Sequence, residues 1–428
     1  MAESTSPSNT SQRVSNPLEA DKQRPSNDES RSTIKTFAAT SFLNDMGSDM
    51  IYPIWPIFIR SVLGANMTIL GILDGLGEAI VSLSQAGSGY LSDRIRKRKV
   101  FIWVGYLMGA FSRIGYALST TWATVFPFRI LDRAGKIRSA PRDAIIADIS
   151  NDNNRGKNFG LLRTADHLGA VVGIIICLLL VNHLSFSTIF ALAAIPSLIG
   201  VGIILFLIKE RAAEKIHAFK GIRLKDLSRN FKLFLIISAI FSLGSFSYSF
   251  LLLYAKEFGF AIQTVPILYL IFTVAAALSS YPFGHLADKI GRKNVIAIGF
   301  ILWIMVCLGF IFSKSFILIL FLFVLYGLQK GALETVQKAF VAELSPAEFR
   351  ASSLGGFQMV IGLCALPASL LAGLLWDNFG KEVPMMVAIG LSIIALLLLG
   401  LVKDLQNFIL KLILKHFQKK KNTWSYKS

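Results

Sequence analysis

Apolar stretches long enough to cross a bilayer recur along almost the whole chain, and that recurrence limits the fold more than any other feature. A spanning helix needs about 20 mostly apolar residues. Windows that qualify lie near 35–60, 67–91, 100–119, 122–147, 156–181 and 186–208, and after a polar stretch near 232–256, 263–287, 294–312, 316–342, 351–376 and 383–402. Only 16% of the 428 residues are charged, where soluble domains carry about 25%. A water-soluble globule with 33 Phe would expose apolar areas that soluble monomers avoid. An ordinary soluble enzyme is excluded, and the expected fold is an all-α membrane protein with twelve transmembrane helices.

The polar segments divide the chain. Residues 1–32 are rich in Ser, Asn, Asp and Glu, without an apolar run, and read as a disordered cytoplasmic tail rather than a secretory signal. Residues 33–208 and 232–403 are then two six-helix bundles, joined by a cytoplasmic linker at 209–231. Residues 404–428 form a basic tail in which Phe408–Phe417 alternates apolar positions with lysines, as an interfacial amphipathic helix does. With both termini inside, the cytoplasmic segments collect roughly 31 Lys and Arg against about 4 outside, the bias of the positive-inside rule. The net charge of +18 is thereby assigned to topology and anionic lipid, and no nucleic-acid partner is expected. Cys177, Cys307 and Cys364 sit in apolar runs and outline neither a disulfide framework nor a zinc site.

An internal repeat sharpens the reading. Gly89-Tyr-Leu-Ser-Asp93-Arg94 returns as Gly284-His-Leu-Ala-Asp288-Lys289, an offset of 195 (284 − 89), and Arg292 follows in the second copy. Asp148 and Arg155 return at the same offset as Glu343 and Arg350. Two six-helix halves in parallel repeat suit a rocking transporter with its site at their interface. The repeated G-x-L-[SA]-D-[RK] loop and the paired [DE]-x6-R turns resemble the signature motifs of the major facilitator superfamily, over about residues 35–402. The first copy has Arg96 where the superfamily usually has Gly; the second keeps Gly291.

The resemblance implies a conformational latch formed by Gly89, Asp93, Arg94, Asp148, Arg155, Gly284, Asp288, Lys289, Arg292, Glu343 and Arg350. Such a latch consists of partly hydrated ion pairs present in one state and absent from the other. Gly89 and Gly284 are expected to permit close helix contact. The basic run Arg96–Lys99 reads instead as a positive-inside determinant.

Charges at membrane depth default to functional hypotheses, and they are concentrated in the first half. The first pass carries Asp45 and Asp49, and the second Asp74 and Glu78. The fourth carries Arg129, Asp132, Arg133, Lys136, Arg138, Arg142 and Asp143, and the fifth Arg163, Asp166 and His167. The second half answers with Gln329, Lys330 and Glu334 on the tenth pass and Gln358 on the eleventh, among aromatic and hydroxyl residues such as Tyr248, Tyr269 and Thr273. Asp45, Asp49, Asp132 and Asp166 are candidate proton carriers, with Arg133, Lys136 or Arg163 as counter-charges. A carboxylate that binds either a proton or a cationic partner, but not both, is what proton coupling requires. His167 is a candidate relay, and Pro141 should kink the inner end of the fourth pass. Tyr52 and Trp55 suit either substrate stacking or the membrane interface. Gly160, Gly169 and Gly173 match the opening of the superfamily's antiporter motif, although Ile174 replaces the proline that should follow.

No nucleotide-binding loop is present, so the driving energy must be an ion gradient. The expected function is secondary active transport of a small organic solute by alternating access, proton-coupled and by antiport, in the efflux direction. Alternatives are a proton- or sodium-coupled symporter or an anion exchanger importing a metabolite, and, from a different class, a transporter-like nutrient receptor. Neither enzymatic activity nor a cofactor or metal is expected. The partners are the solute, a coupling ion (H+) and the bilayer, for a monomer in the bacterial inner membrane with both termini cytoplasmic.

Overall fold

The computed structural model describes residues 27–95, 97–150, 154–210, 227–313, 315–345 and 350–402. Helices account for nearly all of them, and no strand occurs among the described residues. The first half comprises α1 (Asn27–Asp49), α2 (Trp55–Ile57), α3 (Met67–Ile95), α4 (Lys99–Leu118), α5 (Trp122–Ala134), α6 (Ser139–Asp148), α7 (Arg155–Leu180) and α8 (Phe186–Leu207). The second comprises α9 (Arg229–Leu243), α10 (Tyr248–Phe258), α11 (Val265–Ile290), α12 (Arg292–Phe312), α13 (Phe316–Leu344), α14 (Arg350–Phe379) and α15 (Val383–Leu399). The first helix starts at Asn27, inside the stretch read from sequence as a tail. The amphipathic segment 408–417 and most of the linker lie outside the described residues.

Among the described residues, nine helices are long and apolar enough to cross a membrane, and Val383–Leu399 is a shorter apolar one. The first and fourth passes are missing from that set. They hold much of the buried charge, and both are broken. Pro53 and Pro56 lack the N–H that would continue the first pass, so α1 ends at Asp49 and the chain resumes through α2 and a π turn at Phe58–Val62. In the fourth pass a 3-10 turn, Gly135–Arg138, separates α5 from α6. Pro141 cannot donate to Ile137 one turn upstream, so the break precedes the proline rather than following it. The seventh pass breaks at Gly244, where Trp303 Nε1 donates to the freed carbonyl at 3.0 Å and Ser247 caps α10.

The halves meet along α3 and α14, with α7 against α11 beside them. At the end away from the chain termini, the loop face, α3 and α14 are in backbone contact. A Cβ at Gly75 would lie 2.7 Å from the Ala365 carbonyl, and one at Gly71 or Gly373 would strike Ser369 or Met67. Toward the terminal face the helices part, and a Cβ at Gly87, Gly355 or Gly356 would meet nothing within 4 Å. Small residues allow that close approach where hydrophobic driving force is absent. The molecule is closed at its loop face and open between the halves at its terminal face.

Candidate functional site

The breaks in the first, fourth and seventh passes deliver side chains to one point. Asp74, buried on α3, accepts from Trp55 Nε1 at 2.9 Å and Arg129 Nη2 at 2.7 Å through Oδ1. Through Oδ2 it accepts from Ser247 Oγ at 2.7 Å and Ser249 Oγ at 2.5 Å. Arg129 also lies 4.2 Å from the Trp55 ring centre. Trp55 is fully buried in this cluster, so it is neither an interface anchor nor a stacking surface. The two serines belong to the second half and the other groups to the first. Asp74 therefore bridges the halves, and both its oxygens are engaged, which a buried charge requires.

A second junction lies at the loop face. Asp377 on α14 accepts from the backbone N–H of Met67 at 3.1 Å and of Thr68 at 2.8 Å, and from Thr68 Oγ1 at 2.7 Å. It caps the amino end of α3 from across the interface, where orphan N–H groups and the helix dipole favour a carboxylate. Tyr248 donates to the Tyr52 carbonyl at 3.3 Å, and Lys256 donates to Ser61. Nothing in the sequence marked Asp377, because its partner is 309 positions away.

Below Asp74, a cavity of about 470 Å3 is lined by both halves. Asp74, Glu78, Arg129, Arg133 and His167 face Tyr248, Tyr269, Lys330 and Glu334 across it. Arg133 lies 3.7 Å from Glu78, 3.6 Å from Asp132 and over the Tyr52 ring. Lys330 sits over the Tyr326 ring, and Thr273 Oγ1 is buried without a hydrogen bond. The His167 imidazole makes no hydrogen bond among the described residues.

A second cavity of about 450 Å3 lies nearer the terminal face and collects Asp45, Lys136, Arg163, Asp166 and Gln358, with Arg138, Arg142, Asp143 and Lys338. Arg142 contacts Asp143 at 3.0 Å and Asp166 at 3.9 Å, and donates to Ser41 at 2.7 Å. Arg163 closes the cluster at 3.5 Å from Asp143 and 3.2 Å from Asp166. Arg138 stacks on Tyr106, and Asp45 accepts from Asn44. A larger apolar crevice between α11 and α13, about 730 Å3, contains no charged group.

Three of the expected cavity residues line neither polar cavity. Asp49 is buried beside Tyr269. Asp132 turns to Arg133 and to Ser112, 3.4 Å away. Gln329 is buried within the second half, its Oε1 unpaired. Asp132 and Gln329 make their contacts inside their own halves, while Asp49 reaches Tyr269 of the second half, differences that helical spacing alone leaves open. Sequence reasoning also missed Arg113. It is 2% exposed on α4 and donates to the carbonyls of Ala193 and Asn44 and to Ser48 and Ser197. A lone arginine in the otherwise apolar window 100–119 was the available signal.

The expected latch residues divide into two groups. Asp148 pairs with Arg98, and Glu343 with Arg292 at 2.6 Å, so each pair joins neighbouring helices within one half. Arg98 is buried, which corrects its reading as a surface positive charge. Arg94, Asp288 and Lys289 are exposed. The side chains of Asp93, Arg155 and Arg350, and all of Arg96, lie outside the described residues. Gly89 and Gly284 make no unusually close contact, since a Cβ would stand 3.5 Å from Ala140 and 3.6 Å from Thr335. Of the antiporter-motif glycines, Gly169 and Gly173 pack on the backbone of Phe42 and Met46, while Gly160 faces open space.

A closed loop face, a polar interior lined by both halves and an opening at the other end define the class of protein as a membrane carrier. The chain matches the Major Facilitator Superfamily over residues 37–253 and 233–407, and it belongs to that family. It is therefore a multi-pass membrane protein of a secondary-transport family. It is 42% identical over 372 residues to an uncharacterised MFS-type transporter of Methanocaldococcus jannaschii, covering 84% of this chain and 92% of the relative. The fold is similar to a crystal structure of a mutant of the nucleoside transporter NupG, with TM-score 0.75 and 17% identity over 87% of this chain and 100% of that one. It is also similar to a bacterial homologue of the human lysosomal transporter Spinster in an inward-facing, unoccupied conformation, with TM-score 0.71 and 12% identity over 88% and 98%.

Proposed function

We propose that this protein is a proton-coupled secondary carrier of a small organic solute, working by antiport in the efflux direction, and that Asp74 couples the proton to the movement of the halves. The carrying observation is that one buried carboxylate binds Arg129 in the first half and Ser247 and Ser249 in the second. Ionised, Asp74 holds the loop face shut through charge-assisted hydrogen bonds. When the loop face opens, the serines withdraw and the carboxylate meets water on that side, where it can take a proton. Protonated, it loses much of its hold on Arg129 and its preference for the closed arrangement. A ligand shifts a two-state equilibrium only by its differential affinity for the two states, and here the proton and the seal compete for the same oxygens.

The positive-inside pattern supports a cytoplasmic terminal face; on that reading the arrangement described is the inward-facing one, in a plasma membrane with both termini inside. In the opposite state Asp93 and Asp288 join the arginines at the helix turns, which would account for the exposure of Asp288 here. The discriminating experiment uses proteoliposomes with a trapped pH-sensitive dye, screened with solutes under imposed gradients. Solute-dependent proton movement that disappears in Asp74→Asn, while solute exchange without a gradient persists, supports the reading. Solute flux without proton movement in the unaltered protein rejects proton coupling.

A further inference from the structure

The cavity nearest the terminal face carries more positive charge than its own carboxylates neutralise. Five cations and three carboxylates line it. Arg142 and Arg163 are engaged by Asp143 and Asp166. Asp45 accepts from the neutral Asn44 amide and keeps its charge, so the excess in the cavity is two positive charges. Lys136, Arg138 and Lys338 remain, none within ion-pair distance of a carboxylate among the described residues. Arg138 is 5% exposed, yet only one of its nitrogens is spent, on the Gly135 carbonyl at 2.8 Å. Arg138 lines the cavity together with Ser139 and Gln358, its guanidinium lying over the Tyr106 ring. Unpaired charge at membrane depth is costly, and here it is gathered around a space of about 450 Å3 that admits a small organic molecule.

We propose that the transported solute is a small organic anion, whose carboxylate or phosphate head is held by Lys136 and Arg138 of the first half and Lys338 of the second. This rests on the carrier reading above and adds the class of its substrate. The planar guanidinium of Arg138 suits a bidentate contact with either head group, and the lysines act as point charges. The placement also links binding to motion. Lys338 stands across the interface from Lys136 and Arg138, so closing the terminal face on an empty cavity would bring like charges together in a low dielectric. An anion between them removes that repulsion, and the loaded carrier closes more readily than the empty one.

The test is thermal unfolding of the full chain in detergent, at low ionic strength, with glycerol 3-phosphate against glycerol and benzoate against benzyl alcohol. Ethidium serves as the cationic probe, and proton-linked flux of each compound is measured in proteoliposomes. The expected result is stabilisation by one or both anions but not by their neutral twins or by ethidium, with the responding anion identifying the head group. Lys136→Gln and Lys338→Gln should each raise the anion concentration needed for that response about tenfold, the worth of one charge-assisted hydrogen bond. Lys338→Arg should restore it, and elution as an unaltered monodisperse peak shows that the variants fold. Proton-linked flux of ethidium or of a neutral twin, without a response to either anion, overturns the anion class and leaves the carrier. Anion stabilisation unchanged in both Gln variants overturns the assigned residues. Absence of any response and any flux overturns both the class and the carrier reading.

Discussion

The two halves share a fold and a 195-residue repeat but are held together by different forces. Every buried charged side chain among the described residues, namely Asp49, Asp74, Arg98, Arg113, Arg129, Arg133, Arg138 and Arg142, lies in the first half. Buried polar residues of the second half are serines and Gln329. Carried along the repeat offset, Asp74 falls on Tyr269, Arg113 on Leu308, and Arg129, Arg133 and Lys136 on Val324, Leu328 and Gly331. In place of buried charged side chains the second half has stacked rings, such as Phe241 on Phe300 at 4.2 Å and Phe272 on Tyr326 at 4.5 Å. The fourth pass, which bears the charges, is broken, while its repeat partner α13 runs unbroken from Phe316 to Leu344. One architecture thus accommodates both an interior built on buried charge and one built on packed rings.

That contrast can be broken most sharply at Asp74. Asp74→Ala leaves Arg129 buried without its counter-charge and should cost about 3–5 kcal/mol, read as a large fall in thermal stability, whereas Val324→Ala at the repeat partner of Arg129 should cost far less. A smaller loss is expected at Arg113. Replacing it with Leu, as at position 308, orphans the acceptors around Asn44, Ser48 and Ser197, at about 1–3 kcal/mol. Arg113→Lys should not rescue, because an ammonium cannot reach acceptors on both sides. Unfolding scans and membrane expression levels would both report it, and a variant with normal stability would remove the claim that the first half depends on its buried charge.

Next comes the junction between the halves. Asp377→Ala removes the cap of α3 and should shift the loop face toward opening by about 0.5–2 kcal/mol, measured as a changed distance distribution between spin labels placed on the two halves. An unchanged distribution would assign the seal to Asp74 and glycine packing alone. The smallest effect belongs to the aromatic half, where Phe300→Leu forfeits a ring pair worth about 0.5–1.5 kcal/mol and should leave proton coupling intact.

Much of this was legible in the chain itself. The apolar windows and the doubled loop motif announced a helical carrier in two repeated halves, because bilayer thickness forces a span length and backbone hydrogen bonding forces helices. Charged residues inside those windows marked the cavity, since such residues are retained at membrane depth against a cost. Asp74, Arg129, Lys136 and Asp166 were identified in this way. Arg98 was misread because a basic run beside a membrane is ordinarily surface charge, and its neutraliser Asp148 lies 50 residues on. Arg113 has no carboxylate within ion-pair distance among the described residues, so it lacks the companion that would have drawn attention to it.

The sequence by itself determined that the chain is helical and which stretches must be buried in a membrane, because transfer of apolar and polar groups from water depends on the residues alone. Only the tertiary structure decided which charges neutralise one another, which stay free to face a solute, and which end of the interface is closed. Those outcomes depend on distances of a few ångströms between segments far apart in the chain. Asp74 against Ser249 and Thr68 against Asp377 are 175 and 309 positions apart, and each contact exists only because two packed halves bring its partners together.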